Sequence, residues 1–288
     1  MIKEMRLKAN AKINLGLDVL RRREDGYHDL RMIMQTVTLH DVLELTLTKA
    51  EGIRVRTNLG FLPVNEDNLV YKAAALLLKE FPVSCGVFID LKKHIPVAAG
   101  LAGGSADAAA VLTGLNRMLE LGLSREELME RGVKIGADVP YCILKGTALA
   151  EGIGEKLTVL PAMPACSILL VKPPVHVSTK YVYTHLHVEE LVEHPDIDAQ
   201  VEALGRGDLG ALAAKMGNVL ETVTVSAHPV IAQIREQLCS LGARNAMMSG
   251  SGPTVFGIFD DAAAAADAFG RLRSDGANQV ILTEVYNP

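Results

Sequence analysis

The most constraining feature of this chain is a run of small residues that leads from an apolar strand into a helix. Residues 95–109 read IPVAAGLAGGSADAA. Gly100, Gly103 and Gly104 permit positive φ angles and allow a ligand to approach the backbone closely. Ser105 is predicted to cap the helix that follows, whose first amide groups attract phosphate together with the helix dipole. No Lys-Ser or Lys-Thr pair follows the glycines, so the run indicates a nucleotide kinase without a Walker A loop.

Two other interpretations of this run remain open. Clusters of glycine between a strand and a helix are often simple turns. Residues 95–115 also contain just one charge, on Asp107, and resemble a membrane span. Pro96 and Ser105 argue against a span, and an ionised aspartate near its middle costs about 2.5–3.5 kcal/mol. A buried helix of small residues is therefore favoured over a membrane helix.

Composition limits the class of protein. The chain has 288 residues, of which 49% are hydrophobic and 22% charged, as in a globular protein of two domains. We expect a boundary near Pro161, which gives domains at 1–160 and 161–288. The net charge of −5 argues against nucleic-acid binding.

Cysteine usage and the N-terminus indicate the compartment. The cysteines are scattered without a CxxC pair, which argues against a disulfide framework and against zinc. They are Cys85, Cys142, Cys166 and Cys239. Residues 1–6 contain no apolar segment of the kind that a signal peptide requires, so a cytoplasmic protein is expected.

Local patterns predict alternating strands and helices. Residues 12–19 alternate between apolar and polar side chains, as in a strand with Lys12 and Asn14 on one face, for which a solvent-exposed face is the ordinary interpretation. Further expectations are a turn at 40–41, a helix from Asn68 to Glu80, a capping box at Ser124 and Glu127, a short strand at 141–144, and strands at 246–248 and 255–259.

Two further segments carry polar groups in loops. Asp138 lies in GADVP at 136–140, where a turn carboxylate is the ordinary interpretation. Residues 249–252 read SGSG, which is typical of either a plain hairpin or a second nest of backbone amides for an anion. We call residues 96–104 the first glycine loop and residues 249–252 the second glycine loop.

Taken in order, these motifs resemble the GHMP kinase family, which includes galactokinase, homoserine kinase, mevalonate kinase and phosphomevalonate kinase. The resemblance rests on AKINL at 11–15, the first glycine loop, GADVP at 136–140 and the second glycine loop. DGYH at 25–28 resembles a motif found in the branch of the family that phosphorylates 4-diphosphocytidyl-2-C-methyl-D-erythritol. The resemblance implies an α+β two-domain fold, with an N-terminal domain like domain 2 of ribosomal protein S5 and a ferredoxin-like C-terminal α/β domain.

The resemblance also implies roles for individual residues. Asp138 would accept the proton of the acceptor hydroxyl, Lys12 would stabilise developing negative charge, and Asn14 would hold the sugar-alcohol part of the substrate. Tyr27 and His28 would recognise cytosine, with Tyr183 on the opposite face of the base. ATP would contact Pro96, Val97, Ala98, Ala99, Gly100, Leu101, Ala102, Gly103, Gly104, Ser105, Asp107, Ser249, Gly250, Ser251 and Gly252. Mg²⁺ would accompany ATP, with Ser105 as a candidate ligand.

One departure from the family pattern concerns the first glycine loop. Ala98, Ala99 and Ala102 stand where the family commonly has glycine. Because alanine restricts φ, these three positions are expected not to adopt left-handed geometry. The remaining alternatives are another small-molecule kinase of the same family, an RNA-binding module and a degenerate kinase; the sequence does not predict the oligomeric state.

Overall fold

The computed structural model describes residues 3–288, which form an α+β arrangement of strands and helices. The strands are β1 (Glu4–Arg22), β2 (His28–Thr48), β3 (Ile53–Thr57), β4 (Gly86–Lys92), β5 (Thr147–Gly152), β6 (Lys156–Val159), β7 (Ser167–Lys172), β8 (Gly217–Asn218), β9 (Asn245–Met248), β10 (Val255–Phe259) and β11 (Gln279–Glu284). The helices are α1 (Leu69–Glu80), α2 (Gly103–Met118), α3 (Arg125–Val133), α4 (Val139–Leu144), α5 (Thr179–His185), α6 (Ile197–Gly205), α7 (Leu209–Ala214), α8 (Glu221–Ala227), α9 (Val230–Ser240) and α10 (Ala262–Ser274), with a 3₁₀ turn at Val188–Glu190.

The described residues form two compact units that alternate along the chain. Unit 1 contains residues 3–11, 39–97 and 102–144, and unit 2 contains residues 12–38, 98–101 and 145–288. The first part of β1 and the second part of β2 belong to unit 1, and the remaining parts of both strands belong to unit 2. The boundary expected near residue 160 stays a prediction about how the chain divides into domains.

Unit 1 buries the helix that follows the first glycine loop. The second half of β2 pairs antiparallel with β4, which pairs parallel with β3. Helix α2 packs against α1, α3 and α4, and most of its residues are buried. At Gly114 a Cβ atom would lie 2.5 Å from the side chain of Leu7 and 2.7 Å from that of Leu45. Small residues therefore let α2 pack closely in unit 1, and within residues 3–288 no helix has the length and apolar character needed to cross a membrane.

Unit 2 contains a four-stranded antiparallel sheet in the order β11–β7–β10–β9. Helices α9 and α10 pack against this sheet. The short strand β8 pairs parallel with β1, where Gly16 lies opposite Gly217, and the first half of β2 pairs antiparallel with β5. As a result, β8 links the end of β1 that carries Lys12 and Asn14 to the region of β9.

Several local predictions are confirmed. The Asn68 side chain accepts the N–H of Val70 and so begins α1, as predicted. Ser124 and Glu127 exchange the two hydrogen bonds of a capping box at the start of α3. Strands β9 and β10 pair around the second glycine loop, as the pattern indicated.

Two local predictions are wrong. Residues 40–41 lie within the continuous strand β2 and form no turn, because Asp41 is buried and accepts the backbone N–H groups of His94 and Ile95. Residues 141–144 belong to helix α4 and not to a strand. The N–H of Cys142 donates to the carbonyl of Asp138, which is the hydrogen bond of a helical turn.

Candidate active site

The Lys12 and Asn14 side chains lie on one face of β1, and both are buried. Their exposed fractions are 5% and 0%, so the interpretation as a solvent-exposed face is wrong. Lys12 Nζ donates to Asn14 Oδ1 at 2.7 Å, and Asn14 Nδ2 donates to Met32 Sδ at 3.3 Å. Since a buried ammonium group is costly without polar partners, this hydrogen bond fixes both side chains in one arrangement.

The first glycine loop contacts β1 and the second glycine loop within unit 2. The Lys12 N–H donates to the Leu101 carbonyl at 3.2 Å. Ser249 Oγ donates to the Gly100 carbonyl at 2.9 Å. Gly100 has a φ of +75°, and a Cβ atom there would lie 2.1 Å from the Ser249 carbonyl oxygen. Only glycine fits this position, because the two backbones approach too closely for any side chain.

The second glycine loop also approaches Asn14. Gly250 and Gly252 have φ angles of +58° and +87°, and a Cβ atom on Gly250 would lie 3.6 Å from Asn14 Oδ1. Residues predicted separately for the acceptor and for phosphate therefore meet around the Gly100 backbone in unit 2. The sequence placed them up to 238 positions apart, between Asn14 and Gly252.

Two alanines of the first glycine loop contradict the expectation from sequence. Ala98 and Ala102 have φ angles of +51° and +54°, whereas Ala99 is not among the residues with positive φ. Left-handed geometry costs about 1–2 kcal/mol for a residue with a Cβ atom. The contacts of the loop therefore impose its path against the local preference of alanine.

Helix α2 begins earlier than predicted, and Ser105 is not its cap. The helix starts at Gly103, and Ala102 at the N-cap position makes no side-chain hydrogen bond. Ser105 is thus the third residue of the helix, and no side chain at the cap position covers the amide groups of the first turn. Such amide groups and the positive end of the helix dipole favour phosphate.

Asp138 lies in unit 1, directly before α4. Its segment runs past the first turn of α2, where a Cβ atom on Gly136 would lie 3.8 Å from Ser105 Oγ. The Asp138 carbonyl accepts the Cys142 N–H at 3.0 Å, which fixes the backbone at this position. The residue is half-buried.

A buried cluster in unit 1 holds the chain where it enters the first glycine loop. Lys93 Nζ donates to Asp107 Oδ2 at 2.7 Å and pairs with Asp41, whose other oxygen accepts the N–H groups of His94 and Ile95. Asp107 was predicted to contact ATP, whereas its carboxylate lies within this cluster, where Oδ1 has no hydrogen-bond partner. No sequence signal joins Asp41 to Lys93, since the cluster depends on the pairing of β2 with β4.

The pKa values of Asp107 and Lys93 in this cluster are both raised, but for different reasons. Burial raises the pKa of the Asp107 carboxyl well above its ordinary value, although the Lys93 ammonium opposes the shift. Burial alone would lower the pKa of Lys93, but Asp107 and Asp41 outweigh it, and the pKa of Lys93 is raised. The ammonium group therefore stays charged in a buried position.

The residues predicted for cytosine lie at the start of β2 and in α5. The His28 and Tyr183 rings are tilted by 33° with centroids 5.2 Å apart, so unit 2 brings these two rings together. Tyr27 is 59% exposed and His28 is 8% exposed. Burial, together with the charge of Arg22, lowers the pKa of the His28 imidazole below its usual 6.5. A neutral imidazole both donates and accepts a hydrogen bond, as the edge of a base requires.

The residues near α2 offer oxygen donors of the kind that Mg²⁺ prefers. Ser105 carries a hydroxyl group in the first turn, and Asp107, two residues later, has a buried oxygen without a hydrogen-bond partner. In the part of the chain that the structure describes, no cluster of three or more His, Cys, Asp or Glu side chains could hold a metal ion. Mg²⁺ bound together with a nucleotide takes one or two protein oxygens and several phosphate oxygens, so these residues fit it.

Comparisons with known proteins agree with this geometry. Residues 68–146 match the family described as GHMP kinases N terminal domain, and residues 200–278 match GHMP kinases C terminal. The chain is 57% identical to a 4-diphosphocytidyl-2-C-methyl-D-erythritol kinase of Lachnospira eligens over 288 residues, which is 100% of each protein. It is 56% identical to the kinase of the same name of Lachnoclostridium phytofermentans, over 91% of this chain and 90% of that protein.

Solved structures show the same fold. A crystal structure of 4-(cytidine 5'-diphospho)-2C-methyl-D-erythritol kinase has a TM-score of 0.84 and 33% identity, over 99% of this chain and 100% of that chain. A homoserine kinase from Cytophaga hutchinsonii has a TM-score of 0.80 at 19% identity, over 99% and 95% of the two chains, and so shares the fold. The predicted two-domain α+β fold is confirmed, and the chain belongs to the GHMP kinases, in the family of 4-diphosphocytidyl-2-C-methyl-D-erythritol kinases.

Proposed function

We propose that this protein transfers the γ-phosphoryl group of ATP to the 2-hydroxyl of 4-diphosphocytidyl-2-C-methyl-D-erythritol. The products are the 2-phosphate and ADP, and the reaction is a step of the non-mevalonate pathway to isoprenoid precursors. The observation that carries the proposal is the meeting in unit 2 of Lys12, Asn14, residues 98–101 of the first glycine loop and the second glycine loop. The chain is also 57% identical to a kinase of this name. We place the reaction in the cytoplasm.

The two glycine loops and the start of α2 bind the phosphates of ATP. Positive φ angles at Gly100, Gly250 and Gly252 turn the backbone so that no side chain separates a phosphate from the amide groups. Phosphoryl transfer needs little covalent chemistry from the protein, which contributes positioning and charge neutralisation. Backbone amide groups that are already oriented provide both.

Asp138 acts as the base of the reaction. Its carboxylate accepts the proton of the substrate hydroxyl while the hydroxyl oxygen attacks the γ-phosphorus and the bond to the β-phosphate oxygen breaks. The backbone hydrogen bond to Cys142 fixes the base at the start of α4. A positioned general base typically contributes about 10²–10⁴ in rate.

Lys12 stabilises negative charge on the reacting oxygens, and Asn14 holds the sugar-alcohol part of the acceptor. The hydrogen bond between the two side chains keeps the ammonium group oriented inside a buried environment. Fixed charges in such an environment are worth more than in water, because no solvent has to reorganise.

His28 and Tyr183 bind the cytosine base from the same side, because ring centroids 5.2 Å apart leave no room for a base between them. Tyr183 therefore does not lie opposite His28 as the resemblance implied, and the exposed Tyr27 is the residue that covers the other face. The two rings provide an aromatic surface against which the base packs, and the neutral imidazole of His28 forms a hydrogen bond with the edge of the base. Stacking of a base on an aromatic side chain contributes about 1–3 kcal/mol. Cytidine recognition thus distinguishes this acceptor from the smaller substrates of other kinases with this fold.

Mg²⁺ accompanies ATP in this proposal, with Ser105 as its ligand from the protein. When bound, the ion neutralises charge on the phosphate oxygens. The first turn of α2 keeps the Ser105 hydroxyl close to the amide groups that bind the same phosphates.

The experiment that tests the proposal measures ADP release by the purified protein with ATP and Mg²⁺. The acceptors are 4-diphosphocytidyl-2-C-methyl-D-erythritol, homoserine and mevalonate. Turnover with the cytidine compound alone supports the proposal. Turnover with homoserine or mevalonate instead would refute the assigned acceptor and the role of His28.

A further inference from the structure

A buried segment that no predicted role covers runs along the back of the second glycine loop. It begins at Asn218 in β8 and continues into α8 through Glu221 and Thr224. These three side chains are spaced three residues apart, and each makes a hydrogen bond to residues 248–251. All of them lie in unit 2, as does the loop.

Asn218 bonds to three backbone groups, and these fix the orientation of its amide. Its Nδ2 donates to the carbonyl of Met248 at 2.9 Å and to the carbonyl of Gly250 at 2.8 Å. Its Oδ1 accepts the N–H of Leu220 at 3.0 Å. Two carbonyls require a donor and one N–H requires an acceptor, so no other common side chain of this size satisfies all three. Asn218 therefore joins the residue before the second glycine loop to a residue within it.

Glu221 holds the same end of the loop through a different group. Its Oε1 accepts the N–H of Met248 at 2.7 Å, and its Oε2 pairs with Arg235 at 3.0 Å. Between them, Asn218 and Glu221 bind both the carbonyl and the N–H of Met248. Thr224 Oγ1 makes a longer contact of 3.4 Å with the Ser251 carbonyl. These hydrogen bonds fix the backbone of residues 248–251 on the side of the loop that faces β8 and α8.

The front of the loop carries the contacts of the candidate site. Ser249 Oγ donates to the carbonyl of Gly100, and Gly250 approaches Asn14. A shift of the loop backbone by a fraction of an ångström would therefore change the phosphate-binding surface. Asn218 and Glu221 bond to Met248 and Gly250, whereas α5, the helix of Tyr183, contacts the loop at Ser251, whose Oγ lies 2.8 Å from Thr179 Oγ1. A shift at Met248 and Gly250 should therefore affect the phosphate-binding backbone first and the ring pair of His28 and Tyr183 less.

We propose that Asn218 and Glu221 are positioning residues for the second glycine loop, and that they hold its backbone in the conformation that binds the phosphates of ATP. The inference rests on the proposed ATP-binding role of that loop. It assigns a function to a segment that touches no reacting group. Its specific consequence is that changes here weaken the binding of ATP more than the binding of the cytidine substrate.

The test uses full-length variants and isothermal titration calorimetry with Mg²⁺-ATP and, separately, with 4-diphosphocytidyl-2-C-methyl-D-erythritol. Asn218→Asp keeps the size of the side chain but replaces the donor with an oxygen that repels both carbonyls. We expect the Kd of ATP to rise by about tenfold or more, and the Kd of the cytidine compound to rise by a clearly smaller factor. Equal weakening of both ligands, or ATP affinity like wild type, would overturn the inference.

Asn245→Asp is the matched control. Asn245 also lies in unit 2, donates from Nδ2 to a backbone carbonyl, that of Ala213 at 2.7 Å, and accepts the N–H of Ala246 at 2.8 Å. It makes the same types of hydrogen bond at the far end of β9. We expect its variant to bind ATP like wild type, and an equal loss of ATP affinity in both variants would overturn the inference.

A second pair of variants decides the outcome if Asn218→Asp does not fold. Glu221→Ala removes the acceptor of the Met248 N–H, whereas Glu221→Gln keeps an oxygen there. We expect Glu221→Ala to weaken ATP and Glu221→Gln to restore most of the affinity; no difference between the two would overturn the inference. A wild-type protein that binds no ATP would instead refute the proposed function, and this result is visible before any variant is compared.

Discussion

Gly100→Ala is the substitution for which the structure gives the sharpest expected magnitude. Gly100 has a φ of +75°, where alanine is destabilised by about 1–2 kcal/mol. The added Cβ would also lie 2.1 Å from the Ser249 carbonyl oxygen, a backbone atom that no rotamer change can move. Overpacking of this kind costs about 1–3 kcal/mol, so the total loss of stability should be about 2–5 kcal/mol.

The same substitution should lower kcat/KM for ATP by more than the loss of folded protein accounts for. To relieve the contact, the second glycine loop must move by roughly 1 Å, and a misplacement of this size can cost about 10²-fold in rate. We therefore expect kcat/KM for ATP to fall by about 10²-fold, measured below the melting temperature of the variant. Thermal denaturation should show Tm lower by roughly 3–8 °C.

Gly276→Ala separates the two causes. Gly276 also has a positive φ, +65°, but a Cβ atom there would meet nothing within 4 Å. Its variant should lose about 1–2 kcal/mol from φ alone and should keep the ATP kinetics of wild type. If Gly100→Ala lost no more stability than Gly276→Ala and kept its kcat/KM for ATP, the close approach of the two glycine loops would be refuted.

The remaining predictions concern the base, the cytosine site and the buried cluster. Asp138→Asn should lower kcat by about 10²–10⁴ with little change in ATP affinity; a turnover number near that of wild type would exclude Asp138 as the base. His28→Ala should raise the KM of the cytidine compound about tenfold or more while the KM of ATP stays unchanged, and equal effects on both would remove His28 from the cytosine site. The pKa of the His28 imidazole is lowered in the folded state, so the unfolded chain binds a proton at His28 more readily than the folded protein does. The contribution of His28 to the free energy of unfolding should therefore fall as the pH drops below 6.5. Urea denaturation of wild type and His28→Ala at about pH 7.5 and about pH 5.5 measures this difference. Lys93→Met should destabilise the protein by about 3–5 kcal/mol, because it leaves Asp41 and Asp107 buried without their cation, and a loss below about 1 kcal/mol in the same denaturation assay would contradict the cluster.

The sequence predicts the parts of the fold that depend on neighbouring residues. The Asn68 cap and the capping box at Ser124 and Glu127 are local hydrogen bonds, and each forms as expected. The order of motifs along the chain likewise leads to the family. These signals need no knowledge of which strands pair.

The errors arise where distant contacts override local preference. Ala98 and Ala102 adopt left-handed geometry, although alanine disfavours it, because the path of the first glycine loop is fixed by its contacts. The His40–Asp41 pair has the composition of a turn, yet Asp41 lies in β2, where its carboxylate accepts the backbone N–H groups of His94 and Ile95. In both cases, tertiary hydrogen bonds or packing outweigh about 1–2 kcal/mol of local preference.

Some functional candidates leave no trace in the sequence. Asn218 is one of many asparagines, and its bonds to Met248 and Gly250 exist only because β8 pairs with β1 beside β9. Lys93 carries no sequence signal of its role, because only the pairing of β2 with β4 buries it against Asp41. Such residues become visible only when strand pairing is known.

Phosphorylation of 4-diphosphocytidyl-2-C-methyl-D-erythritol by the wild-type protein, followed by ³¹P NMR, decides whether the protein carries out the assigned reaction. We expect a new phosphate monoester on the 2-hydroxyl, formed in equal amount with ADP and only with this acceptor. ADP release without that monoester, or phosphorylation of homoserine or mevalonate in its place, would refute the assigned reaction.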